Sequence, residues 1–227
     1  MELGLLFALG IGVVGLLGWW AWYSAKKRRE LLQAFARSNR WTWTARDDRW
    51  AEAFEGSPFG TGDSRKAKNV LQGTWRDRPM VAFDYSYETH STDSKGHRTT
   101  QVHRYAVCAL KLPVALSRVE LVPESFLGRF GTMLGMQDIE LESEDFNRRY
   151  RVRADDPRRA YDVLPARTME ALLARPEAHL RLAGADAVCW EDGSHSPAEL
   201  LQRLDTLDVL LDGIPSYVWN DLKGPAS

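Results

Sequence analysis

An unbroken run of uncharged residues near the start of the chain constrains this protein more than any other feature. Residues 3–23 form 21 consecutive positions without a charge, most of them apolar. As a helix rising ~1.5 Å per residue, the run is about 31 Å long, which matches a hydrocarbon core of about 30 Å. We therefore predict a single transmembrane helix, with residues 1–29 as a membrane anchor and its basic flank.

The charges around this run predict its orientation. Only Glu2 precedes it, whereas four consecutive basic residues follow at 26–29, so we expect the start of the chain outside and residues 30–227 in the cytoplasm, as a single-pass protein of the cell membrane. A cleaved secretory signal is the alternative, but it needs basic residues before the apolar run and small residues at the cleavage site. The positions predicted at the membrane interface are Trp19, Trp20, Trp22, Tyr23, Lys26, Lys27, Arg28 and Arg29.

Small residues recur every four positions within the predicted anchor. Gly4, Ala8 and Gly12 would share one helix face, where two backbones can approach closely, which favours self-association of the membrane helix. Glycine is also common in membrane helices generally, and the stripe fits that interpretation equally well.

The remainder of the chain is long enough for one large domain or two small ones. Of the 30 basic and 31 acidic residues, four basic and one acidic precede residue 30, which leaves 26 and 30, a net charge of −4. That acidic balance argues against a nucleic-acid partner. Cys108 and Cys189 each lie within a predicted strand, as small buried residues of a reducing compartment do, so no disulfide is implied.

Alternating apolar residues predict a sheet in the first half of this region. Runs at 69–75 and 80–89 form a hairpin across the polar residues 76–79. The run at 100–112 is apolar on both faces, which is typical of a central strand covered on both sides. Short strands are also predicted at 41–44, 118–122, 179–182 and 187–190, the last two as a hairpin across Gly184.

Helix signals concentrate in the last third. Asp156 and Pro157 begin one helix, and residues 166–174 form another. Ser196 and Glu199 form a capping box ahead of a helix with one leucine face. With a further helix at 124–134, we predict an α+β fold: an N-terminal transmembrane helix followed by a largely antiparallel β-sheet domain with helices packed on one side.

Two charged segments admit two interpretations. Asp138, Glu140 and Glu142 alternate with apolar residues in one predicted strand, and an arginine row alternates in the next, at 146–153. Pairing across the strands would give a few tenths of a kcal/mol per pair. Alternatively Arg149, Arg151 and Arg153 hold an anionic ligand such as a lipid phosphate, which guanidinium groups bind well.

Catalytic motifs are absent from the sequence. The glycine-rich stretch at 60–66 lacks the G-K-[ST] ending of a phosphate loop. His90, Asp93, His97 and His103 lack the spacing of a structural zinc site, so we interpret them as surface residues. We expect no cofactor and no metal.

Three parts of the sequence together resemble a family of single-pass membrane-anchored proteins of high-GC bacteria with no assigned activity. They are the apolar span, the segment Gly73-Thr74-Trp75 with Ala82-Phe83-Asp84-Tyr85, and the stretch at 139–152. The resemblance implies a membrane location and no reaction. Our main interpretation is a non-catalytic interaction or scaffolding module at the cytoplasmic face of the membrane. Its expected partners are the bilayer, an unidentified protein and a second copy through the membrane helix. The alternatives are binding of anionic lipid or a small ligand, with Arg65, Lys66 and Lys68 assisting the basic flank, or an enzyme whose site leaves no linear motif.

Overall fold

A computed structural model describes residues 2–126 and 136–223, with side chains from Gly15 onward. Its first element is one continuous helix, α1 (Glu2–Ser38), which extends well beyond the apolar run. The helix ends where Asn39 bonds back to its last turn and Arg40 takes a positive φ. Leu32 and Ala36 are buried against the domain, whereas Leu31 is half exposed.

The predicted anchor falls partly outside the described side chains. From Gly15 onward, the described residues contain no helix that is both long enough and apolar enough to cross a bilayer. Gly4, Ala8 and Gly12, the predicted packing face, precede this range, and their packing lies outside the described residues.

Seven strands form one sheet, and all of the described pairings are antiparallel. The strands are β1 (Thr42–Arg46), β2 (Asp63–Trp75), β3 (Arg78–Thr92), β4 (Arg98–Pro123), β5 (Gln137–Ile139), β6 (Tyr150–Ala154) and β7 (His179–Asp192). The order is β1-β2-β3-β4-β6-β5, with β7 on the other edge of β4. Because β4 is 26 residues long, β3 pairs with its first half and β6 with its second half.

The two faces of β4 are both covered, as its apolar pattern predicted. Cys108 and Leu110 belong to a core beneath the helices, and Val107 and Ala109 belong to a second, aromatic core on the opposite face. The second core is closed by the segment 47–62, which contains a 3₁₀ turn at Asp48–Glu52. A central strand therefore separates two cores.

The helices pack on one face of the sheet, which confirms the α+β class. They are α2 (Glu144–Arg149), α3 (Pro157–Val163), α4 (Ala166–Leu173), α5 (Pro197–Gly213) and α6 (Ser216–Lys223). The capping box of Ser196 and Glu199 is present, and the leucine face of α5 is buried: Leu200, Leu204, Leu207 and Leu211. Asp156 caps α3 as predicted.

Four predicted elements differ in the structure, one of them over only the part that the structure describes. The segment 146–153 is not one strand, because the Ser143 side chain caps helix α2 and the residues up to Arg149 belong to that helix. The hairpin predicted across Gly184 is instead the single strand β7, in which Gly184 has a positive φ at an irregularity opposite Leu116. Residues 118–122 continue β4. Of the helix predicted at 124–134, a 3₁₀ turn at Glu124–Phe126 is described, and residues 127–134 lie outside the described ranges.

Candidate functional site

A cleft of about 1090 Å³ lies beside the aromatic core, where the segment 53–61 faces the second half of β4 and the middle of β7. Its apolar lining includes Phe54, Leu116 and Val188, and its charged lining includes Arg118 and Arg181. The irregularity between β4 and β7 opens the sheet edge here, since the regular pairing is interrupted around Leu116 and Gly184.

A buried arginine holds the wall of this cleft in place. Arg181 is only 2% exposed, and its guanidinium donates to Glu120 Oε1 at 2.8 Å and to the backbone carbonyls of residues 55, 56 and 57. It also lies 4.6 Å from the ring centre of Trp190. Burial lowers the pKa of Arg181, and the Glu120 carboxylate opposes this shift by stabilising the charge. Arg181 therefore ties the segment 53–61 to the sheet.

Gly56 provides the space for a second guanidinium. Its φ is +76°, a conformation that favours glycine, and a Cβ at this position would lie 2.7 Å from a guanidinium nitrogen of Arg118. Arg118 in turn donates to Glu120 Oε2 at 3.2 Å. Glu120 thus bridges two arginines, one buried under the wall and one at the cleft surface.

The charges of the cleft are mixed. Arg118 and Arg181 are balanced by the acidic lining residues Glu55, Asp155 and Asp186, so the lining carries no excess of positive charge. Apolar side chains lie between the charged ones. Such a surface suits an amphiphile better than a bare phosphate, because it offers hydrogen bonds and apolar contact together.

A second buried network joins α1 to the domain. Arg28 donates to Asp84 Oδ2 at 2.8 Å, and the same carboxylate accepts from the Asn69 side chain and from the backbone N–H of His195. Arg28, one of the residues predicted at the membrane interface, thus binds the domain through its guanidinium, while Lys26, Lys27 and Arg29 are exposed. The side chain of Asp84 is only 12% exposed.

His195, which the sequence shows without a partner motif, lies inside this network. Its Nε2 is 2.8 Å from the carbonyl of Val107 and its Nδ1 is 3.2 Å from Arg203, so Nε2 carries the proton and Nδ1 accepts. Burial lowers the pKa of His195 to about 4, which keeps the ring neutral. Arg203 also pairs with Glu191 at 2.9 Å. The network therefore has a structural role: it connects α1 with β3 and α5.

The arginine row is divided among different partners. Arg153 pairs with Asp138 across β5 and β6 at 2.9 Å, as the cross-strand interpretation predicted, and Arg151 lies 3.9 Å from the same carboxylate. Arg149, on α2, donates to the carbonyls of residues 173 and 175 and lies 3.4 Å from Glu177. Glu140 and Glu142 follow β5 and do not extend the ladder.

The other candidate residues are placed as follows. Arg65 pairs with Glu52 at 2.8 Å, and Lys66 lies 3.9 Å from Glu88. The candidate metal ligands are in separate pairs: His90 with Thr100, His97 with Asp93, and His103 with Thr89. Across residues 2–126 and 136–223, no three His, Cys, Asp or Glu side chains converge as metal ligands. The aromatic residues of α1 are exposed: Trp19, Trp20, Trp22 and Tyr23.

Sequence reasoning missed Arg118, Glu120 and Arg181. A signal exists, because Glu120 and Arg181 each stand between buried apolar residues of a strand, where an unpaired charge is costly. Such a residue requires a partner, but the sequence does not say which one.

Comparison with known proteins gives one structural match. No protein-family model and no curated protein matches the sequence. The crystal structure of the mycobacterial trehalose monomycolate transport factor A, TtfA, is similar to this structure with a TM-score of 0.61. The similarity covers 82% of this chain and 96% of that one, at 16% sequence identity. The fold of this protein is therefore also found in a mycobacterial protein.

Proposed function

We propose that this protein is a membrane-tethered, non-catalytic binding module that takes part in lipid transport at the cytoplasmic face of the cell membrane. Residues 1–29 are the tether, and residues 30–227 are the binding domain. The observation that carries the proposal is the cleft beside Arg181, whose balanced charges and apolar lining suit an amphiphile. Its volume of about 1090 Å³ is slightly above the range of about 300–1,000 Å³ for small-molecule sites, which leaves space for a lipid headgroup and the adjoining part of a chain.

Two further observations support this function. The exposed aromatic residues of α1 come first along the chain, as an interfacial belt would, and the exposed Lys26, Lys27 and Arg29 follow them, as a basic cytoplasmic flank would. The fold is shared with TtfA, whose name describes a transport factor for trehalose monomycolate, which is a lipid. Self-association through Gly4, Ala8 and Gly12 remains part of the proposal for the tether.

Photocrosslinking tests this function. The full-length protein is reconstituted in phosphatidylcholine vesicles that contain a photoactivatable lysophosphatidylcholine, and the crosslinked peptides are mapped. We expect crosslinks on α1 from the bilayer and a second set on the segment 53–61 and β7. Ala183→Trp, which fills the cleft, should remove the second set and leave the first.

The matched control is Ala115→Trp, an exposed alanine that does not line the cleft. It should leave both sets of crosslinks intact. If neither variant changes the crosslinks on the segment 53–61, or if that set is absent from the wild type, the lipid-binding function is wrong and the scaffolding interpretation is favoured.

A further inference from the structure

The β3–β4 hairpin extends well beyond the body of the domain. We call residues 88–104 the arm. Every residue from 90 to 102 is exposed, on both faces of a regular two-stranded ribbon whose pairing continues to Thr92 opposite Arg98. Apart from Gly96, Val102 is the one apolar residue in the arm. A ribbon of this length has no role in either core, because its side chains contact solvent.

The contacts of α1 show the direction in which the arm points. At one end, Ala36 accepts from the backbone of Trp41, whose ring packs over Gly73, and Gly73 is paired with Met80 of β3. At the other end, Arg28 binds Asp84 of the same strand. From residue 28 to residue 36 the helix rises ~12 Å, and from residue 80 to residue 84 the strand extends ~13 Å.

Going from residue 36 to residue 28, α1 therefore advances along the sheet in the same direction as β3 does from Met80 to Asp84. The N-terminal part of α1 therefore leaves the domain at the same end as the arm. From Asp84 to Thr92, near the tip of the arm, strand β3 extends ~26 Å, whereas the helix needs only ~7.5 Å to pass from Arg28 to Tyr23, the inner edge of the aromatic belt. The arm reaches the level at which the tether enters the membrane.

A polar ribbon at this level cannot enter the hydrocarbon, because its side chains and edge groups would be left without hydrogen bonds. Beside a membrane tether, the arm must therefore turn away from the axis of α1 and lie along the membrane surface. We propose that the arm lies in the lipid headgroup layer beside α1, as a second contact of the domain with the membrane. This proposal rests on the tether of the proposed function.

The composition of the arm fits headgroups. Hydroxyl side chains occupy six of its positions: Thr89, Ser91, Thr92, Ser94, Thr99 and Thr100. They donate hydrogen bonds to phosphate and ester oxygens, and Lys95, Arg98 and Arg104 add charge-assisted ones. Glu88 and Asp93 reduce the net positive charge, so the contact depends on position beside the tether more than on long-range attraction.

Spin labels measure this contact directly. Ser94→Cys places a label at the tip of the arm, and Thr74→Cys places one at the opposite end of the same sheet, ~40 Å away. Both sites are exposed, and the native Cys108 and Cys189 are fully buried and do not compete for the label. The full-length proteins are reconstituted in vesicles of phosphatidylcholine with a minor fraction of phosphatidylglycerol and a nickel-chelating lipid.

We expect relaxation by the headgroup nickel to be several-fold stronger at Ser94 than at Thr74, with equal relaxation of both labels by a water-soluble nickel chelate in detergent. Vesicle flotation separates the two proposals. If the protein floats with the vesicles but the two labels relax equally, the arm does not touch the membrane and the tether stands. If the protein does not float with the vesicles, the tether itself is wrong.

Discussion

Cys108 and Cys189 lie directly opposite each other on β4 and β7, and neither side chain is exposed to solvent. Burial raises the pKa of Cys189 well above its ordinary value, and the neighbouring Cys108 thiol raises it further. The sequence predicted two buried cysteines in strands, and the structure shows that they are also neighbours. The pair lies in the core beneath the helices, so its reactivity reports the integrity of that core.

We therefore expect neither thiol to react with Ellman's reagent in the native protein in detergent, because a buried protonated thiol is a poor nucleophile. Both should react after unfolding in guanidinium chloride. Rapid reaction of the native protein at neutral pH would show that the sheet opens between β4 and β7.

Replacing Arg181 by Met should be strongly destabilising. The change leaves Glu120 buried with Arg118 as its remaining cation and removes the donor to three backbone carbonyls. Breaking a buried ion pair from one side costs about 3–5 kcal/mol, and chemical denaturation measures it. Adding Glu120→Gln should recover part of this loss, because the uncompensated carboxylate is then gone.

Arg153→Met is the control for that experiment. Its partner Asp138 is 58% exposed, so the pair is solvated and its loss should cost less than about 1 kcal/mol. Equal losses for Arg153→Met and Arg181→Met would contradict the special role of the buried pair.

Arg151→Ala should likewise have little effect on stability, and any loss of vesicle binding in that variant would support the anionic-ligand prediction for the arginine row.

Gly56→Ala and Gly60→Ala separate backbone strain from the geometry of the cleft. Both glycines have φ near +70°, so each alanine should cost about 1–2 kcal/mol in the free energy of unfolding. A Cβ at Gly60 meets nothing within 4 Å, whereas one at Gly56 displaces the Arg118 guanidinium. We expect only Gly56→Ala to change the lipid crosslinks on the segment 53–61. Identical crosslinking patterns in the two variants would show that the position of the Arg118 guanidinium does not matter for lipid binding.

The stability of the protein should fall between pH 6.5 and 5 through its buried histidines. Burial lowers the pKa of His195 to about 4 and that of His179 to about 3. Between these values and the unfolded value of about 6.5, the unfolded chain binds more protons than the folded one, so folding is favoured at higher pH. Compared with its value above pH 6.5, the free energy of unfolding at pH 5 is lower by about 2 kcal/mol for each of the two histidines.

Urea denaturation of the wild type and of His195→Gln at a series of pH values checks this prediction. The variant should be less stable than the wild type at neutral pH, and its stability should depend less steeply on pH in this window. A wild-type stability that is constant from pH 7 to pH 5 would mean that neither ring is held neutral by burial.

Much of the local structure could be predicted because its causes are local. The Ser196 and Glu199 capping box, the Asp156 cap and the helix signals depend on residues within one turn of each other. The apolar pattern of residues 105–110 also predicted a strand buried on both faces. The strand prediction failed at residues 146–149 because of a single side chain: the Ser143 hydroxyl accepts a hydrogen bond from the backbone N–H of Phe146 and caps a helix that continues to Arg149.

The apolar run at 3–23, its basic flank, the helix caps and the alternation of the central strands can be recognised in the amino-acid sequence, since each depends on neighbours in the chain. The pairing of Arg181 with Glu120, 61 residues away, the pairing of Arg28 with Asp84, and the position of the arm at the same end as α1 depend on the folded chain. A buried charge requires a partner of opposite sign, but the choice among 30 basic and 31 acidic residues is made by strand register and helix packing. Those are properties of the whole folded chain.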